Sequence, residues 1–246
     1  MKFIVCLSGL LLIFLLPHWT QSLENEAVDK ETLAKIINFF EQNYKRVDAD
    51  GQPRQYATAI NVPKAQCQAS FNPSQKNFLT QEEAQNVKNV IGDESTALYQ
   101  GKQLIAAGNR EKIIKKNKKI LIHSESLLLN PPDNSPMTKL LNKNKQDCSI
   151  FYTFNSPCVD TCLKEQGPYS ILKALDSWSK HSGIKAFVFK EFWKFDKEKD
   201  LKSKFKLVAS RVPLYRCVSE TECHACKGEG NTPIDENCLP PKTNRP

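Results

Sequence analysis

His123-Ser124-Glu125 sets an imidazole and a carboxylate two residues apart, and Pro157-Cys158-Val159-Asp160-Thr161-Cys162 brings two thiols further along the chain. One histidine and two cysteines supply three ligands to a tetrahedral zinc ion. They leave its fourth position to water, which is the open coordination of catalytic rather than structural zinc. His123, Cys158 and Cys162 are therefore the expected metal ligands for one zinc per chain, and Glu125 is the expected proton carrier of a zinc-assisted hydrolysis. Residues 123 and 125 do not share a helix face, but at a helix entry both side chains reach a site lying off its end. If Pro157 opens a helix, Cys158 and Cys162 stack their sulfurs on one face near its N-terminus, where the dipole favours thiolate. Taken alone, the cysteine pair also reads as a disulfide.

The surrounding pattern supplies elements to hold these groups. The apolar run Ile120-Leu121-Ile122 leads into His123, and residues 149–154 read as a buried strand ending at the Pro-Cys turn. Residues 31–47 carry Leu33, Ile36, Ile37, Phe40 and Tyr44 at helical spacing. Strands are expected at 55–62, 97–107, 148–154, 184–189 and 213–218. Helices are expected at 81–91, from His123, from Cys158, at 169–180 and at 196–209, with a basic loop before His123. The stretch Asn130-Pro131-Pro132-Asp133-Asn134-Ser135-Pro136 should stop the His123 helix after about two turns. Helices alternating with strands predict an α/β fold, one mixed sheet of about five strands covered by helices on both faces.

Composition bounds the compartment and the partners. Lys2, the apolar run over 3–16 and the small residues Thr20 and Ser22 read as a secretory signal peptide over 1–22, too short for a membrane span. No later stretch is apolar enough to span, so the remainder is expected to be secreted and extracellular, as a domain over 23–215 with a Cys-rich tail over 216–246. With 35 Lys+Arg against 27 Asp+Glu, the formal net charge is +8, which favours polyanions but also plain solubility. The cluster Arg110, Lys112, Lys115, Lys116, Lys118 and Lys119 leads directly into His123 and could draw a phosphate backbone toward the metal. Of nine cysteines, Cys6 lies in the leader and two are assigned to zinc. Cys67, Cys148, Cys217, Cys223, Cys226 and Cys238 remain for three disulfides, with a second zinc site in the tail as the competing reading.

Residues 151–162, centred on Asn155-Ser156-Pro157-Cys158, resemble the aromatic-x-Ser-Pro-Cys signature of the AID/APOBEC polynucleotide cytidine deaminases. Together with the leader, the chain resembles the secreted novel AID/APOBEC-like deaminases of ray-finned fishes. The resemblance covers roughly residues 55–210. It implies a three-layer cytidine-deaminase-like fold and conversion of cytosine to uracil, in single-stranded DNA or RNA or in a free cytidine nucleoside. It also implies that the Ser156 carbonyl contacts the exocyclic amine, that Trp193 in the aromatic run 192–195 reads a neighbouring nucleotide, and that Asn109 contacts the target sugar. One departure is the proline-rich break, where the family helix continues uninterrupted. The alternatives are a nucleoside or nucleotide deaminase and a zinc-stabilised secreted binding protein or immune effector without turnover. Glu125 weighs against the second alternative, because a structural zinc has no use for a general acid/base.

Overall fold

The computed structural model describes residues 27–79, 81–114 and 118–241. The expected leader over 1–22 and two members of the basic cluster, Lys115 and Lys116, lie outside the described residues.

The first helix, α1 (Lys30–Tyr44), begins where the Asp29 carboxylate accepts the Thr32 N–H at 2.8 Å. It buries the stripe Leu33, Ile36, Ile37, Phe40 and Tyr44. It ends short of residue 47 because β1 (Arg46–Val47) turns to pair with β2 (Pro53–Arg54). Strand β3 (Tyr56–Val62) follows and is buried along its whole length. After α2 (Gln81–Gly92), the expected single strand over 97–107 is instead a hairpin of β4 (Leu98–Gln100) and β5 (Leu104–Gly108). Its tight turn is closed by the Gly101 N–H donating to the Leu104 carbonyl at 2.8 Å, and a Cβ on Gly101 would meet that oxygen at 3.2 Å.

The expected basic loop is also a hairpin, of β6 (Arg110–Ile113) and β7 (Lys119–Ile122), in which Lys119 pairs with Glu111 at 2.7 Å. Helix α3 (Ser124–Leu129) stops at the prolines as expected, and α4 (Pro136–Leu141) restarts with Ser135 capping the Thr138 N–H at 3.0 Å. Then come β8 (Cys148–Asn155), α5 (Leu172–Ser179), β9 (Lys185–Glu191), α6 (Leu201–Ala209), β10 (Leu214–Cys217) and β11 (Cys223–Ala225). Helix α6 starts later than residue 196 because Asp200 is its cap, accepting the Ser203 N–H.

Seven strands form one mixed sheet in the order β11-β10-β9-β8-β3-β5-β4, with β8, β9 and β10 parallel and the remaining pairs antiparallel. The strand count exceeds the expected five because the 97–107 segment doubles back and the Cys-rich segment contributes β11. Alternation along β3 and β8 splits the interior into two cores. Ala57, Ala59 and Phe151 face α3 to α6, while Tyr56, Ile60, Val62, Ile150 and Tyr152 face α1 and α2. The fold is the expected three-layer α/β arrangement.

The six cysteines outside the proposed ligand set form three disulfides, Cys67–Cys148, Cys217–Cys223 and Cys226–Cys238. A second metal site in the tail is therefore ruled out, and His224 pairs with Glu222 instead. No helix among the described residues is long and apolar enough to cross a membrane.

Candidate metal centre and catalytic cavity

Strands β8 and β9 run parallel, and the segments leaving their carboxyl ends carry Cys158 and Trp193, which is where α/β sheets commonly gather ligand-binding residues. His123 is the N-cap residue of α3 and leaves β7 toward the same place. The Asn109 side chain accepts the Ser124 N–H at 3.0 Å and so fixes the helix entry. Asn109 also lines the cavity.

Cys158 and Cys162 are buried and not bonded to each other, their sulfurs standing 3.6 Å apart. The His123 Nδ1 lies 3.4 Å from the Cys158 Sγ and 3.6 Å from the Cys162 Sγ. These spacings can be tested against a zinc ion. Bonds of about 2.3 Å to sulfur and about 2.0 Å to nitrogen in a tetrahedron give edges of about 3.8 Å between sulfurs and about 3.5 Å between nitrogen and sulfur. The three atoms thus form one face of such a tetrahedron, and the donor set fits. Among the described residues it is the one His/Cys/Asp/Glu group close enough to hold a metal ion.

The expected helix over the Cys pair is instead a run of turns. Its span is closed by the Leu163 N–H donating to the Cys158 carbonyl at 3.0 Å. The Asp196 carboxylate accepts the Val159 N–H at 2.7 Å and holds the turn from outside. Asp196 is 1 % exposed, and Lys199 reaches both Asp196 and Asp160, each at 2.6 Å. The sulfurs still converge, but through these side-chain bonds rather than through helical periodicity. A hydrogen bond from Cys162 and the neighbouring His123 draw the Cys158 thiol down to about 4, while the bond to Cys158 and burial raise Cys162. Metal binding by both sulfurs would require both as thiolates, so it would release protons.

Glu125 is 2 % exposed. Its Oε1 accepts from the Gln55 amide at 3.0 Å and the Thr153 hydroxyl at 3.1 Å, and its Oε2 accepts from the Ser124 hydroxyl at 3.1 Å. No lysine or arginine among the described residues pairs with it, and burial raises its pKa above the ordinary carboxylate range, opposed by His123. Gln55 extends the network by accepting the Asn155 backbone and side-chain N–H groups, both at 2.9 Å.

Gln55, Asn155, Asn109, His123, Glu125 and Cys158 line one cavity of ≈ 70 Å³ with Leu121, Ser156 and Trp193. Sequence reasoning singled out every proposed ligand and contact here, but it missed Gln55, Thr153, Asn155 and Asp196. The aromatic run over 192–195 divides by depth. Phe192 is buried against Phe189 and the Arg216 guanidinium, Trp193 is half-buried at the cavity, and Phe195 is 65 % exposed. The Ser156 hydroxyl accepts the Trp193 N–H at 3.0 Å, tying the two loops together.

No match to the chain is found among curated proteins or among solved structures. The family model described as Secreted Novel AID/APOBEC-like Deaminase 1 spans nearly all of this architecture, from the first residue of α1 to beyond the last disulfide. Matched over residues 30–242, the chain belongs to that family.

Proposed function

We propose that this protein is a secreted zinc-dependent deaminase that converts cytosine to uracil, with single-stranded polynucleotide as its substrate. The observation that carries the reading is a His/Cys/Cys triangle of tetrahedral dimensions, two of whose members line the same cavity as a buried carboxylate that no lysine or arginine among the described residues pairs with. His123, Cys158 and Cys162 would hold the zinc, and it would supply the Lewis acidity that makes water a competent nucleophile near neutral pH.

Glu125 carries the protons. It takes one from the attacking water and delivers it to N3 of the ring as C4 becomes tetrahedral, then takes the second from the C4 hydroxyl and passes it to the departing amine, so that water and cytosine become uracil and ammonia. The Gln55 amide and the Thr153 and Ser124 hydroxyls fix the carboxylate without neutralising it. Trp193 offers a face on which a base can stack, and Ser156 and Asn109 are assigned contacts to the exocyclic amine and the target sugar. Polynucleotide is favoured over free cytidine by the excess of 35 Lys+Arg over 27 Asp+Glu, by the exposed Leu121 at the cavity, and by the exposed Phe195 whose ring packs edge-on against Trp193.

The test is incubation of the purified protein with single-stranded DNA, RNA and cytidine, followed by a search for uracil. Uracil in a polynucleotide supports the reading. Uridine from free cytidine alone makes the protein a nucleoside deaminase, and no product from any of the three makes it a silent binding protein.

A further inference from the structure

The hairpin β6–β7 is a wall with two sides. Leu121 lines the catalytic cavity, whereas the next residue, Ile122, and its cross-strand partner Arg110 line a separate cleft of ≈ 1080 Å³. This follows from strand alternation, since neighbours in sequence point to opposite faces. The floor of the cleft is the far end of α3, and its other wall is the segment leaving Cys162, so both ligand-bearing segments continue into it. Arg110, Lys139 and Lys173 point into this space, and none of them forms an ion pair among the described residues. Of the two acidic groups present, Asp176 is paired with Arg211 at 2.8 Å, which leaves only Glu165 to offset the three cations. Tyr169, half-buried at the edge, provides an aromatic face.

We propose that this cleft binds the flank of the substrate strand, holding its phosphates several nucleotides away from the target base. The proposal rests on the polynucleotide reading above and adds to it a second binding surface with its own residues. A volume at the upper end of the small-ligand range, unneutralised cations on separate elements and an aromatic edge suit a phosphodiester chain. To pass from cavity to cleft, the strand must cross a two-stranded ribbon about 10 Å wide, so only a substrate longer than a few nucleotides can occupy both.

The test compares two labelled probes, an oligodeoxynucleotide of about fifteen nucleotides with a central cytosine and the trinucleotide around that cytosine. Binding is measured in Glu125→Gln protein so that neither probe is consumed. Combining Arg110→Gln, Lys139→Glu and Lys173→Glu should weaken the long probe about tenfold or more. It should also make the dependence of log K on log salt shallower by about 2, the value for three lost phosphate contacts on a single strand. Trinucleotide affinity should not change. Lys64→Glu with Lys88→Glu and Lys30→Gln, which changes net charge by the same amount on segments flanking the opposite face of the sheet, is the control for net charge, and Lys173→Gln alone should give a smaller loss with the fold unperturbed. Equal losses for the two probes, or a loss matched by the control, would overturn the cleft while leaving the polynucleotide reading standing. Failure of the unaltered surface to bind the long probe would overturn both.

Discussion

The sheet holds a largely buried carboxylate against each of its faces and treats the two in opposite ways. On the α1 side, Glu41 is surrounded by partners. Its Oε1 accepts the Tyr56 and Tyr152 hydroxyls at 2.5 Å and 2.7 Å, and its Oε2 pairs with Lys190 at 2.8 Å. Burial holds both phenols far above their usual range, so they remain donors. On the α3 side, Glu125 is more deeply buried, receives hydrogen bonds from the neutral Gln55, Thr153 and Ser124 side chains, and faces a cavity. A carboxylate whose charge is matched and sealed ties a helix to a sheet. One whose charge is unmatched beside open space is suited to exchanging protons, and perturbed carboxylates in clefts mark functional sites for that reason.

The contrast yields graded tests. The largest effect concerns the face that only supports the fold. Cys67–Cys148 closes a span of 81 residues on the α1 side, and replacing both with alanine should cost about 4 kcal/mol in denaturant unfolding. Deamination below the lowered melting range should survive this change. Glu41→Gln comes next. It strips the charge from a bond network of two tyrosines and a lysine and should cost about 2 kcal/mol of stability, again sparing turnover. A loss of activity without a loss of stability in that variant would erase the distinction between the faces.

On the other face, Asp196→Ala releases the Val159 N–H of the turn that presents both sulfurs and leaves Lys199 paired with Asp160 alone. Metal affinity, read by chelator competition, should fall about tenfold, and Asp196→Asn should fall less because it keeps an acceptor. Unchanged affinity in both would show that the turn holds itself.

The smallest effect has the opposite sign to that of Glu41. In metal-free protein, Glu125→Gln should raise Tm, since it removes an unmatched buried charge while keeping the shape. A carboxyl whose pKa is raised on folding adds stability only below that pKa, and the contribution is lost as pH rises through it. The advantage of the glutamine variant should therefore grow from acid toward neutral pH.

The convergence of His123, Cys158 and Cys162 beside Glu125 was legible because each sits next to a segment whose type the local pattern declares: an apolar run entering His123, and a buried strand ending at Pro157. Chemistry and position coincide within a few residues there. Gln55 could not be found in this way. It lies 70 residues from Glu125 and meets it only because α3 packs against β3, so nothing local marks it. Asp196 reads as a helix start but caps a turn 37 residues earlier. The basic stretch before His123 reads as a loop because charged side chains occupy both faces of the β6–β7 ribbon, which hides the alternation that marks a strand. Pro157 does favour a helix entry, but the bond from Leu163 to Cys158 and the Asp196 carboxylate select a turn, a long-range outcome that local propensity does not encode.

The central claim is that three residues hold a metal while a fourth, in the same cavity, moves protons without touching it. Metal content and uracil formation in wild type, Cys158→Ala and Glu125→Gln, measured on the same preparations, test it most directly. The account predicts about one zinc per chain in wild type and Glu125→Gln but none in Cys158→Ala, with no uracil from Cys158→Ala and Glu125→Gln forming it about 10²–10⁴-fold more slowly than wild type. Near-wild-type uracil formation by Glu125→Gln, or full zinc content in Cys158→Ala, would contradict it.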